Sequence, residues 1–290
     1  MPLSLTLLFL LLCLLPPSSG AADAEWVITT GPRGEHYHAI GQRLRQLLRG
    51  QQISAEVRTS AGSLENLERL NDPKNPADIG FSQADILKSY LRDQPELAGK
   101  LLILDKVGKQ CVFVIVAADS ELRDEQDLQR KQRGYQLAIA NADSEAALTY
   151  KYMSLLEPRF KRTTVLYLDT QKALRRLKAG GGGDKLKAIL LVQRPRLRSP
   201  ELQAVLNNPD DYRLLTIEDR SLRDKLPNGD PVYSFETVTL LRGGVAPGAS
   251  VRTLCTPTLL LAARDKLSAE QRKRLTDFIE DQWMTVYNPD

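Results

Sequence analysis

The sequence predicts an α/β protein of two lobes, each built on a mostly parallel sheet covered by helices. An alternation of strand and helix patterns occurs between Trp26 and Tyr90 and occurs again over residues 111–192. The length of 290 residues exceeds what one hydrophobic core usually organises. The extended segment 251–262 returns toward the first lobe, so two strands cross between the lobes and are expected to form a hinge.

The N-terminus has the pattern of a secretory signal. Residues 3–15 form a leucine-rich run that is too short to span a bilayer comfortably, and small residues follow at Ala22 and Ala24. We expect residues 1–24 to be a signal peptide and the mature protein to be periplasmic. An uncleaved anchor is the alternative, because no Lys or Arg precedes the apolar run.

The composition is that of an ordinary soluble globular protein, with 42% hydrophobic and 26% charged residues. The net charge is +4, and the 40 basic and 36 acidic residues are mixed along the chain. No basic stripe predicts a nucleic-acid partner. We therefore expect no nucleic-acid partner. We also expect the protein to be a monomer.

Two cysteines follow the predicted signal peptide, Cys111 and Cys255. An exported protein can oxidise them to a disulfide, but the sequence does not fix whether they pair. The favoured interpretation is two small buried hydrophobic side chains on strands. A disulfide near the hinge is the alternative.

Apolar residues at helical and strand spacing predict the elements of the first lobe. The helix that begins near His36 carries Tyr37, Ile40 and Leu44 on one face. Ser63 is expected to cap the next helix. The predicted order is strand 26–28, helix from 36, strand 53–57, helix from 63, strand 78–81 and helix 84–90.

The second lobe repeats this rhythm, and a closing helix over 268–287 is expected to pack on the first lobe. The predicted apolar stripe of this closing helix is Leu275, Phe278, Ile279 and Trp283. The predicted elements of the second lobe are strands 111–117, 136–140, 164–168 and 188–192, a helix after Ser144 and a helix over 171–178. The predicted lobes are residues 25–110 plus 256–290 and residues 111–255.

Two glycine-bearing loops of the first lobe lie between a strand and a helix, at Thr29–Gly34 and Arg58–Ser63. Loops of this kind turn the free N–H groups and the positive dipole end of a helix toward one crevice, which suits a carboxylate or another small anion. Ligands of open α/β sheets bind at the carboxyl ends of the strands, so the second lobe presents Asn141–Ser144 and Gln193. The sequence therefore predicts a ligand-binding cleft.

Three segments of the sequence resemble the TAXI family of extracytoplasmic solute-binding proteins, which serve TRAP transporters. They are Ile28–Gly41, Gly62–Leu67 and Ala77–Asp85, and a weaker likeness continues through 114–120 and 259–264. The resemblance implies a two-lobed periplasmic-binding-protein fold (type II-like) that closes on a small solute, often glutamate or a related carboxylate. It also implies delivery of that solute to a membrane permease.

The chain departs from the family pattern in both lobes. Arg33, Glu35 and His36 stand in a first loop that is usually glycine-rich, and His38 stands where a second Tyr is common. Asn141–Ser144 replaces a Gly-Ser-Gly-Thr-like turn. The resemblance therefore predicts the fold more firmly than the ligand.

Arg33 could hold a ligand carboxylate through two parallel hydrogen bonds, or it could be a solvated loop arginine balanced by Glu35. Tyr37 could cover the ligand or simply pack, and Gln83 is a better candidate than Asp85, whose charge would repel a carboxylate. The predicted ligand-binding residues are Thr30, Gly31, Arg33, Gly34, Tyr37, Ser60, Gly62, Ser63, Asn66, Gln83, Asn141, Ser144 and Gln193.

The leading prediction is a periplasmic protein that captures a small organic anion for a TRAP-type transporter. A sensory or interaction module of the same fold, acting on a membrane partner without transport, is the alternative. An enzyme with His36 or His38 as general base is a third reading, but no catalytic motif supports it. The two histidines do not complete a metal site, so we predict no metal, no cofactor and no catalytic residue.

Overall fold

The computed structural model describes residues 26–129, 134–180, 185–196, 199–243 and 246–287. The predicted signal peptide, residues 1–24, lies outside the described residues, and so does the side chain of Trp283. Within the described part of the chain, no helix is both long enough and apolar enough to cross a bilayer.

The described residues form ten strands in one strongly mixed sheet and eight α-helices. The strands are β1 (Trp26–Thr29), β2 (Ala55–Arg58), β3 (Ile79–Gln83), β4 (Leu101–Ala117), β5 (Gln136–Ile139), β6 (Thr164–Tyr167), β7 (Leu186–Gln193), β8 (Tyr212–Leu215), β9 (Ser234–Arg242) and β10 (Ala246–Ala263). The helices are α1 (His36–Gly50), α2 (Ser63–Asn71), α3 (Ala84–Asp93), α4 (Glu125–Leu128), α5 (Glu145–Leu156), α6 (Thr170–Ala179), α7 (Pro200–Asn207) and α8 (Ala269–Tyr287).

The sheet has two parallel ends joined by two long antiparallel strands. Its order is β2-β1-β3-β10-β4-β7-β5-β6, with β8 paired to β4 and β9 paired to β10. Strands β1, β2 and β3 are parallel at one end, and β5, β6 and β7 are parallel at the other. The strands β4 and β10 pair with each other and run through both halves, so they are the two crossing strands that the sequence predicts.

The pairing of β4 and β10 changes partner at one point. Strand β4 pairs with β10 as far as Cys111 and with β7 from Cys111 onward. Strand β10 pairs with β9 as far as Cys255 and with β4 from Cys255 onward. This change supports the predicted lobe limits, 25–110 with 256–290 and 111–255, which we retain as a proposal.

The favoured prediction for the two cysteines is wrong, because Cys111 and Cys255 form a disulfide. They lie directly opposite each other on β4 and β10, and their Cα atoms are 4.0 Å apart. Both side chains are buried, as predicted. The sequence shows two separate apolar strands, but only the pairing of those strands brings the sulfurs together.

Hydrophobic packing ties the closing helix to the first lobe, as predicted. Leu275, Phe278 and Ile279 of α8 lie in one core with Trp26 of β1 and Leu44 of α1. A second core joins the lobes, because Leu87 of α3 and Tyr150 of α5 belong to one buried cluster. The lobes therefore meet through packed helices on one side of the sheet as well as through the crossing strands.

Candidate functional site

A cleft lies where the N-terminal ends of α1, α2 and α5 meet. Its cavity volume is about 480 Å³, and we call it the interlobe cleft. Residues of both predicted lobes line it, which agrees with the expected position of a ligand site in this architecture. The lining residues are Gly31, Pro32, Glu35, His36, Tyr37, Ala61, Gly62, Gln110, Ala140, Asn141, Asp143, Ser144, Glu145, Ala146, Leu190, Leu191, Val192 and Gln193.

Six predicted ligand-binding residues line this cleft, and seven do not. Those in the lining are Gly31, Tyr37, Gly62, Asn141, Ser144 and Gln193. Those outside the lining are Thr30, Arg33, Gly34, Ser60, Ser63, Asn66 and Gln83. Ligand contact by the first six stays a prediction, whereas several of the others have structural partners that define a different role.

Asn66 holds the loops of the first lobe together. Its amide Nδ2 donates to the carbonyl oxygens of Thr30, at 2.5 Å, and Phe81, at 2.9 Å. Its Oδ1 accepts from the hydroxyls of Thr29 and Ser60. Asn66 is fully buried and has partners on both sides of its amide, so it positions the loops and has no free group for a ligand.

Thr30 and Ser60 complete this loop structure. The Thr30 hydroxyl donates to the carbonyl of Arg58, and the Ser60 hydroxyl lies 2.8 Å from the carbonyl of Thr30. Ser60 also accepts from the N–H of Gly62. The two residues therefore fix the shape of the loops that form one wall of the cleft.

Helix α2 begins one residue earlier than the predicted cap at Ser63 implies. Its N-cap is Gly62, and Ser63 is its first residue. Gly62 has φ = +129°, a conformation that a residue with a side chain rarely adopts. The Ser63 hydroxyl therefore does not cap α2. It donates instead to Glu145 of the second lobe.

The carboxylate of Glu145 occupies the N-terminal end of α2. Glu145 is the first residue of α5, and its Oε1 accepts from the Ser63 hydroxyl at 2.7 Å. Its Oε2 accepts from Gln83 Nε2 at 2.5 Å and from Gln110 Nε2 at 2.9 Å. All three donors belong to the predicted first lobe and Glu145 to the second, so this carboxylate bridges the lobes.

Tyr37 contacts the serine that binds this carboxylate. Its hydroxyl lies 3.0 Å from the Ser63 oxygen. Because Ser63 donates its proton to Glu145, Tyr37 must be the donor to Ser63. Burial raises the pKa of Tyr37 well above its usual value, and the charge of Glu145 raises it further. Tyr37 therefore stays protonated and remains a donor.

A second buried carboxyl joins the lobes next to this point. The side chain of Asp85, in α3, accepts from the Thr149 hydroxyl of α5 at 2.7 Å and from the Tyr233 hydroxyl at 3.0 Å. Thr149 also lies 3.4 Å from Gln83 Oε1. Gln83 and Asp85 thus both take part in lobe-to-lobe hydrogen bonds.

Arg33 lies away from the interlobe cleft, contrary to its predicted role beside the ligand. It lines a separate groove of about 660 Å³ at the edge of the first lobe, the outer groove, with Arg45, Arg58 and Arg69. Arg33 is exposed, so its guanidinium remains hydrated in the outer groove. Gly34, also predicted to bind, is the turn residue beside it, with φ = +85° and open space around it.

The two histidines face different surfaces. His36 lines the interlobe cleft, whereas His38 lines the outer groove and its Nε2 lies 3.4 Å from Gln42. They therefore do not form one catalytic pair. Within the described residues, no three His, Cys, Asp or Glu side chains are grouped to hold a metal ion.

Sequence reasoning missed Glu145, Gln110 and Glu35 as cleft residues. Glu145 directly follows the predicted loop Asn141–Ser144. The expectation that ligands bind at the carboxyl ends of strands covers this loop but not the next residue. A glutamate in the first turn of a helix is also common for electrostatic reasons, and it carries no functional signal by itself. Gln110 lies on a part of β4 that the sequence does not predict as strand.

Two solved structures align with most of this chain. A TctC solute-binding protein from Polaromonas aligns with a TM-score of 0.52 and 10% identity over 91% of this chain and 85% of that chain. The periplasmic aliphatic sulphonate-binding protein SsuA from Escherichia coli aligns with a TM-score of 0.46 and 16% identity over 90% and 70%. At 10% identity the likeness to the TctC protein concerns the fold and not the ligand.

The sequence gives the family. No curated protein matches the chain significantly. A family model described as the NMT1-like family matches residues 28–180, which include the end of β1, both glycine-bearing loops, β3 and the whole of α5. This match covers more than half of the chain, and the chain belongs to the NMT1-like family.

Proposed function

We propose that the protein is a periplasmic solute-binding protein that holds a small molecule in the interlobe cleft. The observation that carries this proposal is the cavity of about 480 Å³ walled by helix N-terminal ends of both lobes. A cavity of this size is in the range of small-molecule sites. The shared fold with the Polaromonas TctC solute-binding protein supports the same role.

We propose binding rather than catalysis. The polar groups at the cleft are hydrogen-bonded to one another, with Ser63 bonded to Glu145 and Gln83 to the same carboxylate. Ser63 donates to a carboxylate that is itself held by two amide donors, and Gln83 is not a nucleophile, so these contacts form no Ser–His or Cys–His pair. His36 and His38, the candidate bases, lie on separate surfaces.

Delivery to a membrane permease is the favoured use of the bound solute. A TRAP-type permease follows from the TAXI resemblance of Gly62–Leu67 and Ala77–Asp85 and stays a prediction, as does export by residues 1–24. The sensory module is the second candidate, since the same closed cleft could be read by a membrane sensor. A permease encoded beside this chain would favour transport, and a sensor kinase would favour signalling.

The predicted anionic solute meets an obstacle in the structure. The helix end that was expected to hold its carboxylate already contacts Glu145. Arg33, the expected positive partner, lines the outer groove. An anion remains a sequence-based prediction that requires Glu145 to move.

A variant that fills the cleft tests the proposed function. Ala140 lines the cleft and is exposed, so Ala140→Trp should occupy the cavity without disturbing the core. Solutes that stabilise the unmodified protein in a thermal-shift panel should lose that effect in Ala140→Trp. Selective binding to the native state at one hundred times Kd contributes about 2.7 kcal/mol, which such a panel detects readily.

The matched control is Ala98→Trp, at an exposed alanine that does not line the cleft. This variant should keep the stabilisation by every active solute. The proposal fails when Ala140→Trp responds to those solutes as strongly as the control does.

A further inference from the structure

Glu145 is bound as a solute carboxylate would be bound. Three donors of the first lobe reach its two oxygens, at 2.7 Å, 2.5 Å and 2.9 Å. A Cβ atom built on Gly62 would lie 3.5 Å from its Oε1, so the carboxylate touches the start of α2. The chain thus supplies its own anion to the position where such a fold offers free donors.

A solute carboxylate would have to compete with this internal group. It would break three hydrogen bonds, and Glu145 is held in place by the fold, so its effective concentration is on the order of millimolar or higher. The displaced carboxylate would also stay close and repel the incoming one. The subsite at α2 is therefore closed to anions of ordinary affinity.

The carboxylates of the cleft lining make it negative, and His36 is the only described side chain of the lining that can take a positive charge. Glu35 and Asp143 line it together with Glu145, and among the described residues of the lining there is no Lys or Arg. Partial burial raises the pKa of Glu35, and repulsion from the carboxylate of Glu145 raises it further. A positive charge between them would relieve that repulsion.

Gln193 independently indicates a missing polar partner. It is 9% exposed, lines the cleft, and its Nε2 is a buried donor without a hydrogen-bond partner in the described residues. Buried side-chain amides are usually bonded, and an amide can turn to present either its N–H or its oxygen. Gln193 lies opposite Cys111 in the β4 to β7 pairing, so the disulfide region fixes its position.

From these observations we propose that the cleft takes a small organic cation, a solute with a protonated amine held by Glu145 and Glu35 and a second polar atom held by Gln193. The proposal rests on the proposed solute-binding function and names its substrate class. Glu145 has two tasks in it. Its carboxylate joins the lobes through Ser63, Gln83 and Gln110, and its negative charge selects the sign of the solute.

Two probes with the same four-carbon chain and opposite charges test the solute class. In thermal-shift titrations at equal ionic strength, 1,4-diaminobutane should raise the apparent Tm of the unmodified protein with increasing concentration, and succinate should leave it unchanged. A rise in Tm with succinate overturns the proposal. The absence of a rise with both probes overturns it as well.

Charge-neutral variants test the residue. Glu145→Gln should weaken binding of 1,4-diaminobutane at least tenfold, because a charge-assisted hydrogen bond is lost. The matched control is Glu201→Gln, which removes a glutamate from the first turn of α7, also capped by a serine but outside the cleft. Equal affinity in Glu145→Gln and the unmodified protein contradicts the role of Glu145.

Chemical rescue tests whether the helix end is an anion subsite that the chain fills itself. Acetate should stabilise Glu145→Ala by occupying the vacated position, and it should not stabilise the unmodified protein. Equal responses of the two proteins to acetate contradict self-occupation. If 1,4-diaminobutane has no effect but other solutes lose binding in Ala140→Trp, the cation proposal fails and the solute-binding function stands.

Discussion

Asp85 is a carboxylic acid buried where the two lobes meet. It lies in the first turn of α3 and is fully buried, and it accepts hydrogen bonds from Thr149 and Tyr233 of the second lobe. Burial raises its pKa from 3.8 to about 6, although these hydrogen bonds act in the opposite direction. Desolvation therefore outweighs the hydrogen bonds at this carboxyl.

The raised pKa predicts that Asp85 makes folding less favourable as the pH rises. Between pH 3.8 and about 6 the native state keeps a proton that the unfolded chain loses, so its contribution to the free energy of unfolding falls through this window. The loss should reach up to about 3 kcal/mol and stay constant at higher pH. Below pH 3.8 both states are protonated.

Paired unfolding curves of the unmodified protein and Asp85→Asn measure this effect, since other titrations cancel in the difference. The unmodified protein should lose stability relative to Asp85→Asn between pH 4 and pH 7. A difference that is independent of pH would show that Asp85 has an ordinary pKa.

For single residues, the sequence predicts which residues lie near the cleft better than it predicts which groups their side chains contact. Gly62 and Asn141 lie in loops that follow predicted strands, and both line the cleft, whereas Tyr37 is favoured as a cleft residue by the TAXI resemblance. Ser60 lies in such a loop and Asn66 lies within α2, but both bond to neighbouring loops. The direction of each side chain depends on partners that are distant in sequence. A local pattern along the chain does not show which residues those partners are.

The crossing strands β4 and β10 are the elements that connect the lobes, and the disulfide joins them. Cys111 and Cys255 are 144 residues apart in sequence, so their bond closes a long loop in the unfolded chain. Closing a long loop lowers the entropy of the unfolded state. The disulfide also lies next to Gln110 and opposite Gln193, two residues of the cleft.

Removal of the disulfide should destabilise the protein substantially. Replacement of Cys111 and Cys255 by alanine should lower the free energy of unfolding by about 3–5 kcal/mol, measured by guanidinium denaturation. A reductant should lower the midpoint of the unmodified protein and leave that of the double variant unchanged. Thiol reagents that label both cysteines in denatured, unreduced protein would contradict the bond.

Whether the sequence predicts an element depends on how regular its pattern is. The helices near His36, Ser63 and Ala84 show clear helical spacing and are confirmed. The first ten residues of β4, from Leu101 onward, were not predicted. Charged residues and Gly108 interrupt their alternation there, and β4 makes irregular pairs with β10 along this stretch.

On the scale of the whole molecule, the two lobes meet in three ways. The strands β4 and β10 pass between them, α3 packs against α5 in a common hydrophobic core, and Glu145 and Asp85 form polar bridges. The sequence predicts the crossing strands because the α/β rhythm repeats on either side. It does not predict the bridges, because each hydrogen bond joins residues at least 35 positions apart.

The central claim is that the interlobe cleft holds a small solute. Native mass spectrometry of protein exported from a bacterial host tests it most directly, because a retained solute adds its mass to the chain. We predict an adduct of one solute per chain in the unmodified protein and in Ala98→Trp, and none in Ala140→Trp. An unmodified protein without any adduct, or an adduct that Ala140→Trp retains, would contradict the account.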